Sequence, residues 1–404
     1  MKNFPELNEQ MDLIQRGVFE IIPEEELEKK IILSKKSKKQ LNIKLGCDPT
    51  RPDLHLGHSV VLRKLRHFQE LGHLAILIVG DFTGMIGDPT GKNKTRPHLT
   101  LEEAKINGKT YFEQASKVLS SKNISIKYNS QWLGKMNFAD VINIASKYTV
   151  ARMIERDDFT DRYKSGEPIS IHEFLYPLAQ AYDSIAIKSD VELGGTDQKF
   201  NLLVGRDLQK EFGQIPQVIL TMPLLLGTDG IEKMSKSLDN YVGINESASQ
   251  IYGKTLSIPD KLIVDYFTLT TNVDIKDVEK IGSDMNSGKL NPRDSKRELA
   301  RTLVEMYHTK SAAQKAEKEF DEIFIKKNLP YDIAEYSLKS KPIFILDLLV
   351  TSKMCESKSQ ARRLIEQGGV SLDNIKLSDS NLIIDLKKSS ILKVGKRNFL
   401  KLIP

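Results

Sequence analysis

Short apolar runs alternate with stretches of helical period through the first half of the chain. The runs LNIKLG (41–46) and LAILIVG (74–80) predict strands, a helix is expected from about His58 to Leu71, and a long helical stretch opens at Thr100. This alternation predicts an α/β sheet domain of parallel strands joined by crossover helices over residues 1–226. Two helix starts carry capping boxes, Thr100 with Glu103 and Ser170 with Glu173, in which each side chain satisfies a free amide of the other's turn. Within 227–330, from about Glu246 to Lys327, strand signals vanish and amphipathic helical patterns broken at Pro259 and Pro292 predict an all-helical domain. Two prolines and mixed polarity over 328–342 predict a linker, placed at 331–342, and residues 343–404 read as a small α+β module of helix, turn, helix and short strands.

Composition adds limits to this picture. The chain is 40% hydrophobic and 28% charged, as expected of a globular protein. No apolar run approaches the roughly 20 residues of a membrane-spanning helix, and the opening MKNFPELNEQ lacks the apolar core of a secretion signal. Cys47 and Cys355 are the only cysteines, too few for a disulfide framework or a cysteine-rich metal site. A cytoplasmic enzyme without structural metal is therefore expected. The stretch 341–404 holds 12 Lys and Arg against 6 Asp and Glu, so it carries the whole net charge of +6. Such an asymmetry is either a solvated basic surface or a surface for a polyanion.

Three segments carry candidate chemistry. In the first, Gly46-Cys47-Asp48-Pro49-Thr50 leads into His55-Leu56-Gly57-His58, where a strand turns into a helix. Two imidazoles three residues apart can face one ligand, the free amides and dipole of a helix N-terminus favour a triphosphate, and Gly57 leaves room for a nucleotide base. In the second, Lys233-Met234-Ser235-Lys236-Ser237 lies between Gly227, Gly230 and Asp239, a polar loop able to carry two cations to a leaving group. In the third, Tyr176, Gln180 and Asp183 form a polar stripe on an otherwise apolar helix. That stripe either closes a core hydrogen-bond network or receives a zwitterion carrying a phenol. Pro177 inside the helix predicts a local kink near it. Asp88, in a glycine-containing loop after strand 74–80, sits where open α/β sheets bind ligands.

The first two segments, in this order and about 175 residues apart, resemble the signature pair of class I aminoacyl-tRNA synthetases. The pair also occurs in pantothenate synthetases and other nucleotidyl-transfer enzymes, so it points to adenylate chemistry more than to a substrate. With the Tyr176–Asp183 stripe and Gly194-Gly195-Thr196-Asp197-Gln198, the chain resembles tyrosyl-tRNA synthetases over nearly its whole length. That resemblance implies a Rossmann-like catalytic domain, L-tyrosine, ATP with Mg²⁺ and tRNA(Tyr) as partners, no tightly bound cofactor, and a homodimer. It implies that Asp183 accepts the phenol's hydrogen bond and that Tyr176, Gln180 and Asp88 hold the ammonium. Asp48 and Gln198 would contact the aminoacyl-adenylate, with Gly195 and Asp197 near its ribose and Gly46, Gly57, Met234 and Ser235 lining the nucleotide site. His55 and His58 would stabilise the triphosphate with Lys233 and Lys236, and Lys92 and Arg96 would help draw pyrophosphate away. Lys44 is a departure: many members carry tyrosine there, and Lys44 stands as a candidate pocket residue.

The terminal segment from Ser357 to Asp373 resembles the small RNA-binding module of some ribosomal proteins and pseudouridine synthases. Lys358, Arg362 and Arg363 would then face RNA, contacting backbone phosphates more than bases. Two other readings compete. An RNA-binding protein could use a synthetase-like domain as scaffold, and a tryptophan-specific relative could share the signature pair.

Overall fold

The computed structural model describes residues 4–48, 54–88, 101–325, 333–338, 342–395 and 398–404. They form two compact units, Met1–Glu317 and Lys318–Pro404. The expected border at 226/227 falls inside the first unit, so sheet and helical parts share one body.

The first unit is built on a six-stranded sheet of β1 (Glu20–Ile22), β2 (Asn42–Cys47), β3 (Leu74–Val79), β4 (Ile124–Tyr128), β5 (Val191–Gly195) and β6 (Val218–Met222). Spatial order is β1-β6-β5-β2-β3-β4, with β1 antiparallel to β6 and all other pairs parallel. Both predicted strands are present, and β3 is buried along nearly its whole length, as a strand covered on both faces must be. The chain leaves β2 toward β3 and β4 and later returns to β2's other side as β5. The topological switch point therefore lies between β2 and β5, and its crevice opens at their carboxyl ends.

Helix Leu56–Glu70 follows β2 and buries Leu56, Val60, Leu62, Leu65 and Phe68. It stops at Leu71 because Gly72 takes φ +93°, a conformation open to glycine. The predicted capping box of Ser170 and Glu173 is present, with the Ser170 amide donating to Glu173 Oε1 at 2.9 Å. The helix Ile171–Ile187 runs on through Pro177. Thr100 lies outside the described residues, although a helix spans Leu101–Ala115. Helices alone follow from Ala248 to Phe320, and Pro292 opens one of them at its first turn. Among the described residues no helix is long and apolar enough to cross a membrane.

The second unit holds a five-stranded sheet ordered Ile375–Lys376, Val370–Leu372, Ser390–Val394, Asn398–Ile403 and Ala334–Ser337. The expected linker 331–342 is thus corrected: its residues 334–337 form a strand parallel to Asn398–Ile403. Burial of Ile345, Leu348, Leu349, Ala361, Ile365 and Leu392 at 0–1% exposure gives this module its own core.

One buried cation locks the N-terminal helix Leu7–Gln15 to the helix that begins at the paired histidines. Lys64 is 1% exposed and donates to the carbonyls of Leu13 (3.1 Å), Ile14 (2.6 Å) and Arg16 (2.7 Å). These are end-of-helix carbonyls that have no partner within their own helix. Burial, with Arg16 and Arg63 nearby, pulls the Lys64 ammonium down to about 7. Lys64→Met leaves one buried and two half-buried carbonyls without this donor, and urea unfolding should show a loss of about 2 kcal/mol with an unchanged slope.

Candidate active site

The carboxyl ends of the parallel strands β2, β3, β4 and β5 border one cleft of about 390 Å³. β2 brings Gly46 and Asp48, the turn after β3 brings Asp88, the turn after β4 brings Asn129, and β5 leads into Gly195, Asp197 and Gln198. The helix Leu56–Glu70 adds Gly57 and His58 at its N-terminus, preceded by His55. The helix Ile171–Ile187 adds Tyr176, Gln180 and Asp183, and the loop after β6 adds Lys233, Met234 and Ser235. Asp183 and both imidazoles therefore face the same crevice, although more than 120 residues separate them in the chain.

Asp183 is 3% exposed, and its carboxylate accepts from Trp132 Nε1 at 2.7 Å and Asn129 Nδ2 at 3.3 Å. Burial pushes this carboxyl up to about 7, against the opposing pull of the Lys44 charge and of the two N–H donors. Trp132 and Asn129 were not predicted from sequence, though Trp132 is the only tryptophan in the chain. Tyr176 donates its hydroxyl to Asp48 Oδ2 at 2.8 Å, and Thr83 donates to the other oxygen at 2.7 Å. Gly80 makes this possible, since an added Cβ there would lie 2.0 Å from Asp48 Oδ1. Asp88 accepts from Gln198 Nε2 at 3.0 Å and faces the guanidinium of Arg156 at 3.4 Å. Arg156, 5% exposed and capping the next helix, is a second residue the sequence did not reveal.

The imidazoles of His55 and His58 lie 3.9 Å apart between ring centres. Burial, helped by His58 and Lys236, lowers His55 to about 2, and burial with Lys236 lowers His58 to about 4. Both are neutral at physiological pH, and a polyanion entering beside them would favour their protonated forms. Gly57 lines the cleft, and a Cβ there would meet the His55 ring at 3.0 Å and Met234 Cβ at 3.5 Å. Open space lies at Gly46, where a Cβ would meet nothing within 4 Å.

On the loop, Lys233 Nζ pairs with Asp197 Oδ2 at 3.2 Å while remaining about half exposed. Lys236 is not part of the cleft lining; it sits 5.5 Å from the Tyr241 ring centre and acts on the histidines through its charge. Asn240 fastens the loop's base, accepting from the Ser235 amide at 2.7 Å and donating to Asp229 at 2.7 Å. Lys92 and Arg96 lie outside the described residues. Lys44 does not line the cleft: it is wholly buried behind its wall and pairs with Glu192 Oε1 at 2.8 Å, which corrects its placing as a candidate pocket residue. Among the described residues no group of three His, Cys, Asp or Glu side chains could hold a metal ion.

In the second unit, Lys358, Arg362 and Arg363 are exposed on helix Lys358–Glu366, and Lys358 pairs with Asp347 at 2.5 Å.

Comparison with known proteins agrees with this geometry. Residues 35–325 match the family model of class I tRNA synthetases (W and Y), and residues 324–402 match the SYY-like C-terminal domain of tyrosine–tRNA ligases. The chain is 55% identical to the tyrosine–tRNA ligase of Chlorobaculum tepidum over 403 residues, covering 98% of each. It is 51% identical to that of Thermotoga maritima, covering 98% of this chain and 97% of that one. Among solved structures, tyrosyl-tRNA synthetase of Archaeoglobus fulgidus complexed with L-tyrosine aligns with TM-score 0.63 at 25% identity, covering 77% of this chain and 99% of that one. The chain belongs to the class I tRNA synthetases of the tryptophan and tyrosine group and, within them, to the tyrosine–tRNA ligases.

Proposed function

We propose that this chain activates L-tyrosine with ATP and Mg²⁺ and passes the tyrosyl group to tRNA(Tyr), with the cleft at the switch point as its reaction chamber. The observation that carries this reading is the meeting of the buried Asp183 carboxylate with the His55–His58 pair in one crevice. In activation a carboxylate oxygen of tyrosine attacks the α-phosphorus of ATP, and pyrophosphate leaves. In transfer a hydroxyl of the terminal ribose of tRNA attacks the adenylate's carbonyl carbon, and AMP leaves. Mg²⁺ enters as part of the ATP substrate.

The residue roles follow from the chemistry of each position. Asp183 accepts the phenol's hydrogen bond, and its two N–H partners, Trp132 and Asn129, orient it. Asp88, Tyr176 and Gln180 receive the ammonium, while Asp48 and Gln198 contact the adenylate, and Gly195 and Asp197 flank its ribose. His55 and His58 donate to the triphosphate. Lys233 leaves Asp197 to meet the developing charge on pyrophosphate, joined by Lys236 and, from outside the described residues, Lys92 and Arg96. Phenylalanine leaves the Asp183 carboxylate without its donor, which is the physical basis for rejecting it.

The basic helix face of Lys358, Arg362 and Arg363 contacts tRNA phosphates, and the enzyme works in the cytoplasm as a homodimer. Support for pairing comes from apolar side chains left in solvent on neighbouring helices, Phe138 79%, Ile142 53%, Val150 60% and Ile171 81% exposed. Sedimentation of the full chain should give twice the 45.7 kDa monomer mass, and Ile142→Asp with Phe138→Asp should return it to the monomer.

Pyrophosphate exchange with ATP and single amino acids tests the chemistry: exchange should depend on tyrosine, and dependence on tryptophan would sink the reading. Asp183→Asn should lower discrimination between tyrosine and phenylalanine by up to about 10⁵-fold. The carboxylate is the competent form, so apparent affinity for tyrosine should fall as pH drops through about 7, and Asp183→Asn should remove that limb. Removing residues 331–404 should abolish charging of tRNA and spare exchange, whereas equal loss of both would overturn the assignment of the terminal module.

A further inference from the structure

Behind the wall of the cleft lies a buried ion pair to which the reaction gives no role. Lys44, on β2, is 0% exposed and donates to three acceptors: the Gln180 carbonyl at 2.7 Å, Ser184 Oγ at 2.8 Å and Glu192 Oε1 at 2.8 Å. Glu192, on β5 and equally buried, also accepts from Gln180 Nε2 at 3.3 Å, from Ser184 Oγ at 3.1 Å and from Gln217. Helix Lys199–Glu211 closes over the cluster at Gly205, where a Cβ would stand 2.7 Å from Gln217 Nε2 and 3.1 Å from Glu192 Oε2.

A buried ion pair is a poor source of stability, because desolvation offsets its attraction. What this one does provide is position. Both of its members bond to Gln180 and Ser184, which lie three residues before and one residue after Asp183 on the same helix. Gln180 is gripped at both ends, its backbone carbonyl by Lys44 and its side-chain nitrogen by Glu192, which turns its Oε1 toward Asn201 at 3.1 Å.

We propose that the Lys44–Glu192 pair is the positioning element of the tyrosine pocket, fixing the segment Gln180–Ser184 so that Gln180 and Asp183 face the cleft in register. The proposal rests on the reading of Asp183 and Gln180 as tyrosine contacts. The charge of Lys44 acts on Asp183 as well, favouring its carboxylate form, while Glu192 acts more weakly in the opposite sense. The other groups around Asp183 are the N–H donors of Trp132 and Asn129, with Thr83 accepting from Asn129 behind them at 3.0 Å.

Lys44→Met alone would leave Glu192 buried and unpaired, so the deciding variant is Lys44→Met with Glu192→Met, which removes both charges at similar volume. In pyrophosphate exchange with the full-length chain, its KM for tyrosine should rise by about tenfold or more while its KM for ATP stays unchanged. The acid limb of tyrosine affinity should move to higher pH, because the loss of the Lys44 charge outweighs the loss of Glu192. Ser184→Ala, a small change that cuts one link to each partner, should raise the tyrosine KM in the same direction by less, and it decides the matter if the double variant does not fold. An unchanged tyrosine KM and an unshifted limb in a folded variant overturn the proposal. Asp183→Asn separates the two levels. If it leaves discrimination against phenylalanine intact, the pocket reading itself falls; if it destroys discrimination while the pair variants behave as wild type, only the pair's role falls.

Discussion

A carboxyl group held where water is almost excluded is the constraint around which the catalytic unit is organised. Asp183 pays a desolvation cost large enough to bring its pKa to about 7, and only convergent donors keep its charged form accessible. Those donors come from different parts of the chain: Trp132 and Asn129 from the end of β4, and the field of Lys44 from β2. The carboxylate can be held there because the sheet places those elements side by side.

The same sheet settles where the rest of the chemistry goes. Strand ends at a switch point splay apart, so the loops that leave β2, β3, β4 and β5 border one crevice. The paired histidines, neutral through burial, supply N–H donors without a standing charge that water would have to solvate. The permanent cations sit on a loop instead, where Lys233 is paired with Asp197. On the function proposed above, such a cation meets the charge that develops on the leaving group.

Much of this was legible in the chain itself. Short apolar runs placed β2 and β3 to within a residue or two; β3 reads most clearly because a strand buried along nearly its whole length is almost all valine, isoleucine and leucine. The histidine pair, the lysine loop and the polar stripe on an apolar helix could be found because their spacings within one element are local geometry. The supporting residues could not. Trp132, Arg156 and Glu192 carry no local signal, and each meets the site through a partner tens of residues away. The strand at Ala334–Ser337 was read as linker for the same reason, since its pairing partner lies at Asn398–Ile403.

The amino-acid sequence by itself determined the α/β class, the family resemblance and the residues able to carry adenylate chemistry. Tertiary structure alone decided that Asp183 and the imidazoles share a cleft and that Lys44 stands behind its wall and not in it. The physical reason is that side-chain type and local spacing are written along the chain, whereas burial, and with it every pKa and every hydrogen-bond partner, is a property of what the fold brings alongside.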